Sequence, residues 1–336
     1  MIPLAKPSLD GNERKYLLEA MDSGYLTHCG VWEHRFEHEF SQWIGRSSIA
    51  CSSGTGALHI ALMTFGIGPG DEVIVPALTF TACASVVKQL GANVRLCDVT
   101  EDFGINWDQA AKLITRRTKA IIAVHLYGQN CHVPGESFCG IPIIEDACEA
   151  LGLVNPAGWL TAYSFYGNKP MTTGEGGMLC GKLGAATYFR DGGFDEKYDA
   201  LVAGLNYRMT NLQAAIGCAQ LERIDELVAT RAKNAAHYAE RIDGRGQWLF
   251  VAESRNPVSL AAYLQMSGIE TRPVFMPLHL TRAFGTSQKF KVSESIWERG
   301  LCLPTGPHIG DEEIERICDL IGKHEAAEVW SLRKTA

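Results

Sequence analysis

Two patterns of apolar residues alternate along the chain, and their alternation predicts its fold. Short runs that are almost wholly apolar predict buried strands, and apolar residues spaced three and four apart predict helices. The predicted strands lie at residues 49–51, 72–77, 93–99, 120–126, 141–146, 162–166 and 178–180. The predicted helices lie at residues 11–22, 31–43, 57–62, 79–90, 107–114 and 209–242. Apolar strands that alternate with helices indicate an α/β fold whose mostly parallel sheet is covered by helices on both faces.

The C-terminal part of the chain has a different pattern and predicts a smaller α+β domain. It holds a strand candidate at residues 248–251 and helices at 258–266 and 311–324. We therefore expect a large domain, with an N-terminal arm, over residues 1–242 and a shortened small domain over residues 243–336.

Composition and charge exclude several classes of protein. The chain has 336 residues, and its formal net charge of -7 argues against a nucleic-acid partner, which usually requires a basic surface. The 11 cysteines include no C-x-x-C pair, so we expect neither a metal site nor a disulfide framework. Reduced thiols and the lack of a signal-like N-terminus predict a cytoplasmic protein. No apolar run approaches the ~20 residues of a membrane span.

Lys169 is the first candidate for chemistry, because an apolar, aromatic run leads directly to it and a glycine-rich segment follows. A lysine amine can attack a carbonyl group and hold it as a Schiff base. The simpler interpretation is a solvated lysine in a surface turn. The sequence around Lys169 does not by itself decide between them.

Further candidates lie at the ends of other predicted strands, where parallel sheets carry their sites. Ser53, Gly54 and Thr55 begin a helix and could bind an anion, although they could equally cap a helix that has no ligand. Phe80, His125 and Asp146 also follow strands, but an isolated acidic residue there is more often a cap or a solvated loop residue.

Four of these parts together match the requirements of a pyridoxal 5'-phosphate (PLP) site. Lys169 would hold the aldehyde, and residues 53–55 would bind the phosphate. Phe80 would lie against the pyridine face, and Asp146 would keep the ring nitrogen protonated.

Motifs along the whole chain resemble the DegT/DnrJ/EryC1/StrS family of nucleotide-sugar aminotransferases. The most specific are Ser-Phe-Tyr-Gly-Asn-Lys at 164–169, with Thr-Thr-Gly-Glu-Gly-Gly at 172–177, and Glu-Asp-Ala-Cys-Glu-Ala at 145–150. Further matching motifs lie at residues 53–58, 76–80, 124–128, 206–211 and 271–279. They occur in family order from Pro3 to about Ile321.

The resemblance implies a PLP-dependent transferase of fold type I that works as a homodimer with shared active sites. It implies that Ser164 adds to the phosphate site and that Glu149 lies near the ring hydroxyl. Asn206 is expected to reach the phosphate of the neighbouring subunit, although it could also be a loop residue of its own chain. Tyr207 and Arg208 follow it as candidate substrate contacts. Some relatives with His in place of Lys169 are dehydratases, so Lys169 favours transamination.

The same resemblance suggests the substrates. L-glutamate would donate its amino group to the C-4 ketone of a nucleotide-linked 4-keto-6-deoxy sugar, best matched by GDP-4-keto-6-deoxy-mannose, which gives GDP-perosamine. Amination of a dTDP- or UDP-linked 4-keto sugar or of a keto-octulosonate stays open, as does a non-catalytic regulatory role. Arg272 and His279 could bind the diphosphate or ribose, but Arg272 could equally form a domain-closing salt bridge.

The chain is shorter than the family pattern in three places: between Cys131 and Ile141, between Leu151 and Leu160, and between Ile242 and Trp248. The catalytic motifs are intact. We therefore expect these differences to affect substrate reach and domain packing more than the chemistry.

Overall fold

The structure is a computed structural model, and it describes residues 1–196 and 198–335, with side chains described as far as Glu328. Lys197 and Ala336, the last residue of the predicted small domain, lie outside the described residues.

Strands and helices follow each other through the first 240 residues much as the apolar pattern predicts. The strands are β1 (Ser48–Cys51), β2 (Glu72–Pro76), β3 (Asn93–Cys97), β4 (Thr118–Val124), β5 (Ser137–Phe138), β6 (Ile141–Asp146), β7 (Leu160–Ser164), β8 (Gly177–Gly181), β9 (Phe194–Glu196), β10 (Asp199–Ala200), β11 (Gly244–Arg245), β12 (Phe250–Glu253), β13 (Arg272–Pro273) and β14 (Gly300–Leu303). The helices are α1 (Glu13–Asp22), α2 (Val31–Ile44), α3 (Gly54–Thr64), α4 (Ala82–Gln89), α5 (Trp107–Leu113), α6 (Ala186–Arg190), α7 (Asn211–Leu221), α8 (Ile224–Ala239), α9 (Pro257–Met266), α10 (Lys291–Arg299) and α11 (Asp311–Thr335). Short 3₁₀ turns lie at Leu126–Gly128 and Leu278–Leu280.

The main sheet is mostly parallel, and its strand order is β1-β8-β7-β6-β4-β2-β3. Strand β8 is antiparallel to both of its neighbours, whereas the other strands on this path run in one direction. The two-residue β5 pairs antiparallel with β6. The carboxyl ends of β2, β4, β6 and β7 therefore lie at one edge of the sheet, where sites of such folds are found.

Apolar residues cover both faces of this sheet, which explains the nearly continuous apolar runs of its strands. On one face, Ile122 and Ile144 pack in a cluster with Leu58 of α3 and Val86 of α4. On the other face, α2 and α7 pack over β7 and β8, and α5 packs over β4 and β6. The predicted α/β architecture, with a mostly parallel sheet between two helical layers, is present.

The C-terminal part forms a smaller antiparallel sheet in the order β11-β12-β14-β13. Its apolar cluster joins Phe250 of β12 to Leu260 of α9 and Ile314 of α11, and it includes Tyr238 of α8. The N-terminal Ile2 also pairs with Ile269 beside this sheet. The boundary after Ile242 stays a prediction.

The continuous helix predicted over residues 209–242 is instead two helices, α7 and α8, which meet at Glu222 and Arg223. Glu222 accepts hydrogen bonds from Asn12 Nδ2 (2.7 Å) and from the Tyr16 hydroxyl (2.5 Å), next to and within α1. These contacts tie the junction to distant residues, and no glycine or proline marks it in the sequence.

Between Cys131 and Ile141 the chain has β5 in place of a helix. In the described part of the chain, no helix is long and apolar enough to cross a membrane.

Candidate active site

A cavity of about 370 Å³ opens at the carboxyl edge of the main sheet. It brings together residues that are far apart in the sequence. Of the predicted site residues, those that line it are Ser53, Gly54, Thr55, Phe80, Asp146, Glu149, Ser164, Lys169 and Arg272.

Lys169 lies in a turn shortly after β7, and its backbone N–H donates to the Tyr166 carbonyl (2.9 Å). Its side chain is only 12% exposed, and Nζ lies 3.4 Å from Glu149 Oε1. Nζ also lies over the indole of Trp248, 3.8 Å from the ring centroid. Lys169 is therefore held inside the cavity and is not the solvated turn lysine of the simpler interpretation.

Glu149 is the carboxylate partner of Lys169, and it is 6% exposed. Its second oxygen, Oε2, accepts the backbone N–H of Tyr127 (2.9 Å). Burial raises the pKa of Glu149, while the nearby Lys169 and the Tyr127 N–H oppose this rise.

Asp146 is the last residue of β6, and each of its oxygens has one protein donor. Oδ1 accepts the Cys148 N–H (3.0 Å), and Oδ2 accepts the Cys83 thiol (2.9 Å). Burial, together with the Asp146 charge, raises the pKa of Cys83 well above its usual value, so the thiol stays protonated and donates. A carboxylate has about four acceptor positions. Asp146 can therefore accept a further hydrogen from a group in the cavity.

Helix α3 directs its N-terminus at the same cavity. Ser53 is its N-cap, and the Ser53 hydroxyl oxygen accepts the Gly56 N–H (3.0 Å). The N–H groups of the first helical residues, Gly54 and Thr55, have no acceptor within the helix, and the helix dipole favours an anion beside them. A Cβ on Gly54 would lie 2.5 Å from Cys148 Sγ and 2.9 Å from Ser164 Cβ, so only glycine fits there.

Aromatic rings line the outer part of the cavity. Phe80 is 51% exposed, and its ring centroid lies 5.6 Å from that of Phe275. A large aromatic face that is exposed at a cavity can cover the ring of a planar ligand.

The guanidinium of Arg272 lies over the rings of Trp248 (5.4 Å) and Phe275 (5.0 Å). Its Nε and Nη2 are buried and have no hydrogen-bond partner among the described residues. No salt bridge joins it to a described carboxylate in this conformation, and both roles that the sequence leaves open for Arg272 stay predictions. A guanidinium with unpaired N–H groups is suited to bind a carboxylate or a phosphate.

Four of the predicted site residues do not line this cavity: Asn206, Tyr207, Arg208 and His279. Asn206 is exposed and accepts a hydrogen bond from Arg208 Nε (3.1 Å), and the Tyr207 hydroxyl lies 3.0 Å from His59 Nδ1.

His279 is buried in a 3₁₀ turn, and its Nε2 lies 3.0 Å from Glu294 Oε1 at the start of α10. Its side chain is 1% exposed and does not line the cavity in this conformation. The contact of His279 with a diphosphate or ribose stays a prediction. His125, which also follows a strand, packs away from the cavity against Glu145 (2.6 Å).

The structure also shows two residues that the sequence analysis missed: Trp248, which lines the cavity, and Cys83, which does not line it but donates to Asp146. Trp248 belongs to a segment that reads as an ordinary apolar strand, and Cys83 reads as a small core residue. Neither has a local signal, because each reaches the site through a contact with a residue more than 60 positions away.

Comparisons with known proteins agree with this arrangement. The model of the DegT/DnrJ/EryC1/StrS aminotransferase family matches residues 7–322. The GDP-perosamine synthase of Caulobacter vibrioides is 37% identical over an alignment that covers 94% of this chain and 96% of that protein. The GDP-perosamine synthase of Vibrio cholerae is 35% identical, with 96% of this chain and 98% of that protein covered.

Among solved structures, the sugar aminotransferase Spr1654 of Streptococcus pneumoniae in its PLP form superposes with a TM-score of 0.87. The superposition covers 95% of this chain and 97% of that chain at 24% identity, a level at which the likeness shows the fold. This confirms the fold expected from the sequence. The chain belongs to the DegT/DnrJ/EryC1/StrS aminotransferase family.

Proposed function

We propose that this chain is a PLP-dependent aminotransferase that moves the amino group of L-glutamate to the C-4 ketone of GDP-4-keto-6-deoxy-mannose. The observation that carries the proposal is the similarity to GDP-perosamine synthases from two organisms over at least 94% of the chain. The cavity supports the chemistry, because it joins an amine, a carboxylate and a helix N-terminus.

The residues of the cavity fit PLP. The N-terminus of α3, with the Ser53 and Ser164 hydroxyls beside it, would bind the phosphate. Gly54 keeps this cradle open, since a Cβ there would collide with Cys148 and Ser164. Asp146 would face the ring nitrogen, Phe80 would cover a ring face, and Glu149 would lie near the ring hydroxyl. When bound, PLP supplies an electron-withdrawing ring that stabilises negative charge at the substrate carbon.

In this proposal the two catalytic residues of the chain are Lys169 and Asp146. The Lys169 amine would hold the cofactor at its aldehyde carbon and, when free, would accept and return a proton as general base and acid. The Asp146 carboxylate holds a proton at the ring nitrogen, because its negative charge favours the protonated form. Arg272 offers its unpaired N–H groups to an anionic part of a substrate.

A homodimer with shared sites is the second part of the proposal. The hairpin of β9 and β10 exposes Phe194 (45%), and Leu201 follows it at 62% exposure. Large apolar side chains that are exposed next to each other often mark a protein interface. Asn206 and Arg208 follow this hairpin, and we propose that Asn206 reaches the phosphate of the neighbouring subunit.

We place the enzyme in the cytoplasm, since none of the described cysteines forms a disulfide.

The substrate is tested by comparing kcat/KM for GDP- and dTDP-linked 4-keto-6-deoxy sugars with L-glutamate as donor. We expect the GDP sugar to be preferred by at least tenfold, or about 1.4 kcal/mol of transition-state discrimination. A tenfold preference for the dTDP sugar would overturn the substrate but not the reaction.

The reaction is tested at Lys169. Borohydride reduction of the PLP-loaded enzyme, followed by peptide mapping, should place the cofactor on Lys169. Lys169→Ala should lower kcat by at least about 10³-fold. Lys182→Ala is the matched control, because Lys182 also lies over a tryptophan ring (4.7 Å) but 55% of its side chain is exposed. Label on another lysine, or an active Lys169→Ala enzyme, would disprove the proposal.

The dimer is tested by mixing inactive subunits. Lys169→Ala and Asn206→Ala subunits should together recover some activity, because a mixed dimer would contain one site with neither change. A fully active monomer in solution would contradict shared sites.

A further inference from the structure

Trp248 precedes β12 of the small sheet, yet its side chain lines the active-site cavity of the large sheet. It is 1% exposed, and the face of its indole lies 3.8 Å from Lys169 Nζ. A cation over the face of an indole is attracted by the quadrupole of the ring, and the attraction is strongest where water is excluded.

The indole is held on several sides. Its Nε1–H donates to the carbonyl of Asn168 (2.9 Å), the residue before Lys169. Its ring lies nearly parallel to that of Tyr127, with a centroid distance of 6.3 Å and an interplanar angle of 9°. The backbone carbonyl of Trp248 accepts hydrogen bonds from Arg231 Nη1 (3.1 Å) and Thr305 Oγ1 (2.6 Å). A ring with this many restraints has a fixed position relative to the lysine backbone.

Tyr127 connects the two groups that hold the amine. Its N–H donates to Glu149 Oε2 (2.9 Å), and its carbonyl accepts the Trp248 N–H (3.1 Å). Tyr127 is fully buried, and its φ of 54° lies in the left-handed region, which is costly for a residue other than glycine. The carboxylate and the indole that contact Lys169 are therefore attached to one rigid residue.

We propose that Trp248 is a positioning residue for Lys169. Its indole and the Glu149 carboxylate form a seat that holds the lysine ammonium whenever the amine is not bonded to the cofactor. The seat keeps the amine inside the cavity during proton transfer, so that it does not swing into solvent. This inference rests on the proposed function and adds to it a residue from the segment between β11 and β12.

Trp248 also belongs to the apolar cluster of the main sheet, so the filling of space is the alternative reason for its position. The test must therefore separate the hold on Lys169 from the filling of space. Trp248→Phe keeps an aromatic ring but loses the Asn168 hydrogen bond and the larger face, and Trp248→Leu removes the π face altogether.

The first measurement uses cofactor-free protein and needs no activity. Acetic anhydride acylates lysines, and mass spectrometry gives the rate at Lys169 relative to the exposed Lys119. We expect a relative rate that rises by roughly three- to thirty-fold in Trp248→Leu and by less in Trp248→Phe. Trp159→Phe changes the same residue type beneath Lys182 and should leave the rate at Lys169 as in wild type.

The second measurement uses the loaded enzyme and one half-reaction with L-glutamate that is deuterated at Cα. If the amine is misplaced, proton transfer becomes more rate-limiting, and the isotope effect rises in both Trp248 variants. A residue that only fills space would change the amount of folded enzyme without changing the isotope effect.

Two negative results are distinguishable. Wild-type acylation rates and isotope effects in folded Trp248→Phe would overturn this inference alone. If wild-type protein carried no cofactor on Lys169, the proposed function would fail whatever the Trp248 variants did. Should Trp248→Leu not fold, Trp248→Phe decides the result.

Discussion

Glu145 and Asp146 are neighbours at the end of β6, yet their carboxylates lie on opposite faces of the main sheet and have opposite surroundings. Glu145 is fully buried, with Oε2 2.6 Å from His125 Nε2 and Oε1 accepting the N–H groups of Ala157 and Gly158. Asp146 borders the cavity and has one protein donor on each oxygen.

The difference shows why Glu145 is suited to a structural role, whereas Asp146 is suited to bind a ligand. Burial alone would raise the pKa of Glu145, but the hydrogen bond from His125 and its attraction hold that pKa below its ordinary value. The partners of Glu145 come from its own chain and leave no room for a ligand. Asp146 keeps acceptor capacity that faces an open volume. The two acids therefore differ in their free hydrogen-bonding capacity and not in their burial.

The largest expected effect separates the two acids by activity. Asp146→Asn removes the charge that holds a proton at the ring nitrogen, and kcat/KM should fall by roughly 10³-fold, or about 4 kcal/mol. Asn keeps the volume, its Oδ1 can still accept the Cys148 N–H, and its Nδ2 can donate to the Cys83 sulfur, so urea unfolding should change little. A near-normal rate in this variant would mean that Asp146 is structural, like Glu145.

Glu145→Gln should have the reverse outcome. It breaks a buried pair and leaves His125 without its carboxylate, so the free energy of unfolding should fall by roughly 3 kcal/mol. The turnover number per folded molecule should stay within about twofold of wild type. Glu136→Gln is the control, because Glu136 pairs with Lys182 at the surface, where one pair contributes about 0–1 kcal/mol. Equal losses of stability in the two variants would remove the distinction.

The pH dependence of stability should differ in sign between Glu145 and Glu149, the buried partner of Lys169. The pKa of Glu145 is lowered by folding, so its contribution is present above the ordinary glutamate value of about 4.3 and is lost as the pH falls through the folded value. The pKa of Glu149 is raised, so its contribution is present below about 4.3 and is lost as the pH rises through the folded value.

Urea unfolding of cofactor-free protein between about pH 2 and pH 8 would measure both slopes, because the Glu145 contribution is lost below about pH 4.3. The advantage of wild type over Glu145→Gln should shrink toward the acid end. Relative to Glu149→Gln, wild type should lose stability as the pH rises. Parallel slopes for the two comparisons would contradict the assigned directions.

The smallest expected effect concerns the thiols beside the two acids. Cys83→Ala removes one donor to Asp146 and should lower kcat/KM several-fold, or about 1 kcal/mol, whereas Cys83→Ser should stay closer to wild type. Cys131→Ala is the matched control, because its sulfur lies 3.3 Å from His125 Nδ1 on the other face. Cys131→Ala should change the free energy of unfolding and leave kcat/KM as in wild type. If both alanine variants kept full activity, Cys83 would have no part in positioning Asp146.

The sequence by itself determined the elements of the main sheet and the positions of Lys169, Asp146 and the α3 N-terminus. Those features are local: apolar periodicity defines a buried strand, and the residue after a strand lies at a known edge of a parallel sheet. The motifs around Lys169 and Asp146 then indicated the family, which the comparisons confirm.

Tertiary structure alone decided which side chains meet. It separated α7 from α8 through the contacts of Glu222 with α1, buried His279 against Glu294, and placed Cys83 beside Asp146. It also brought Trp248, from the segment between β11 and β12, to Lys169. Each of these contacts joins segments whose distance depends on how helices and sheets pack. Local spacing fixes the direction of a side chain within its own element, but it does not specify which distant group that side chain will contact.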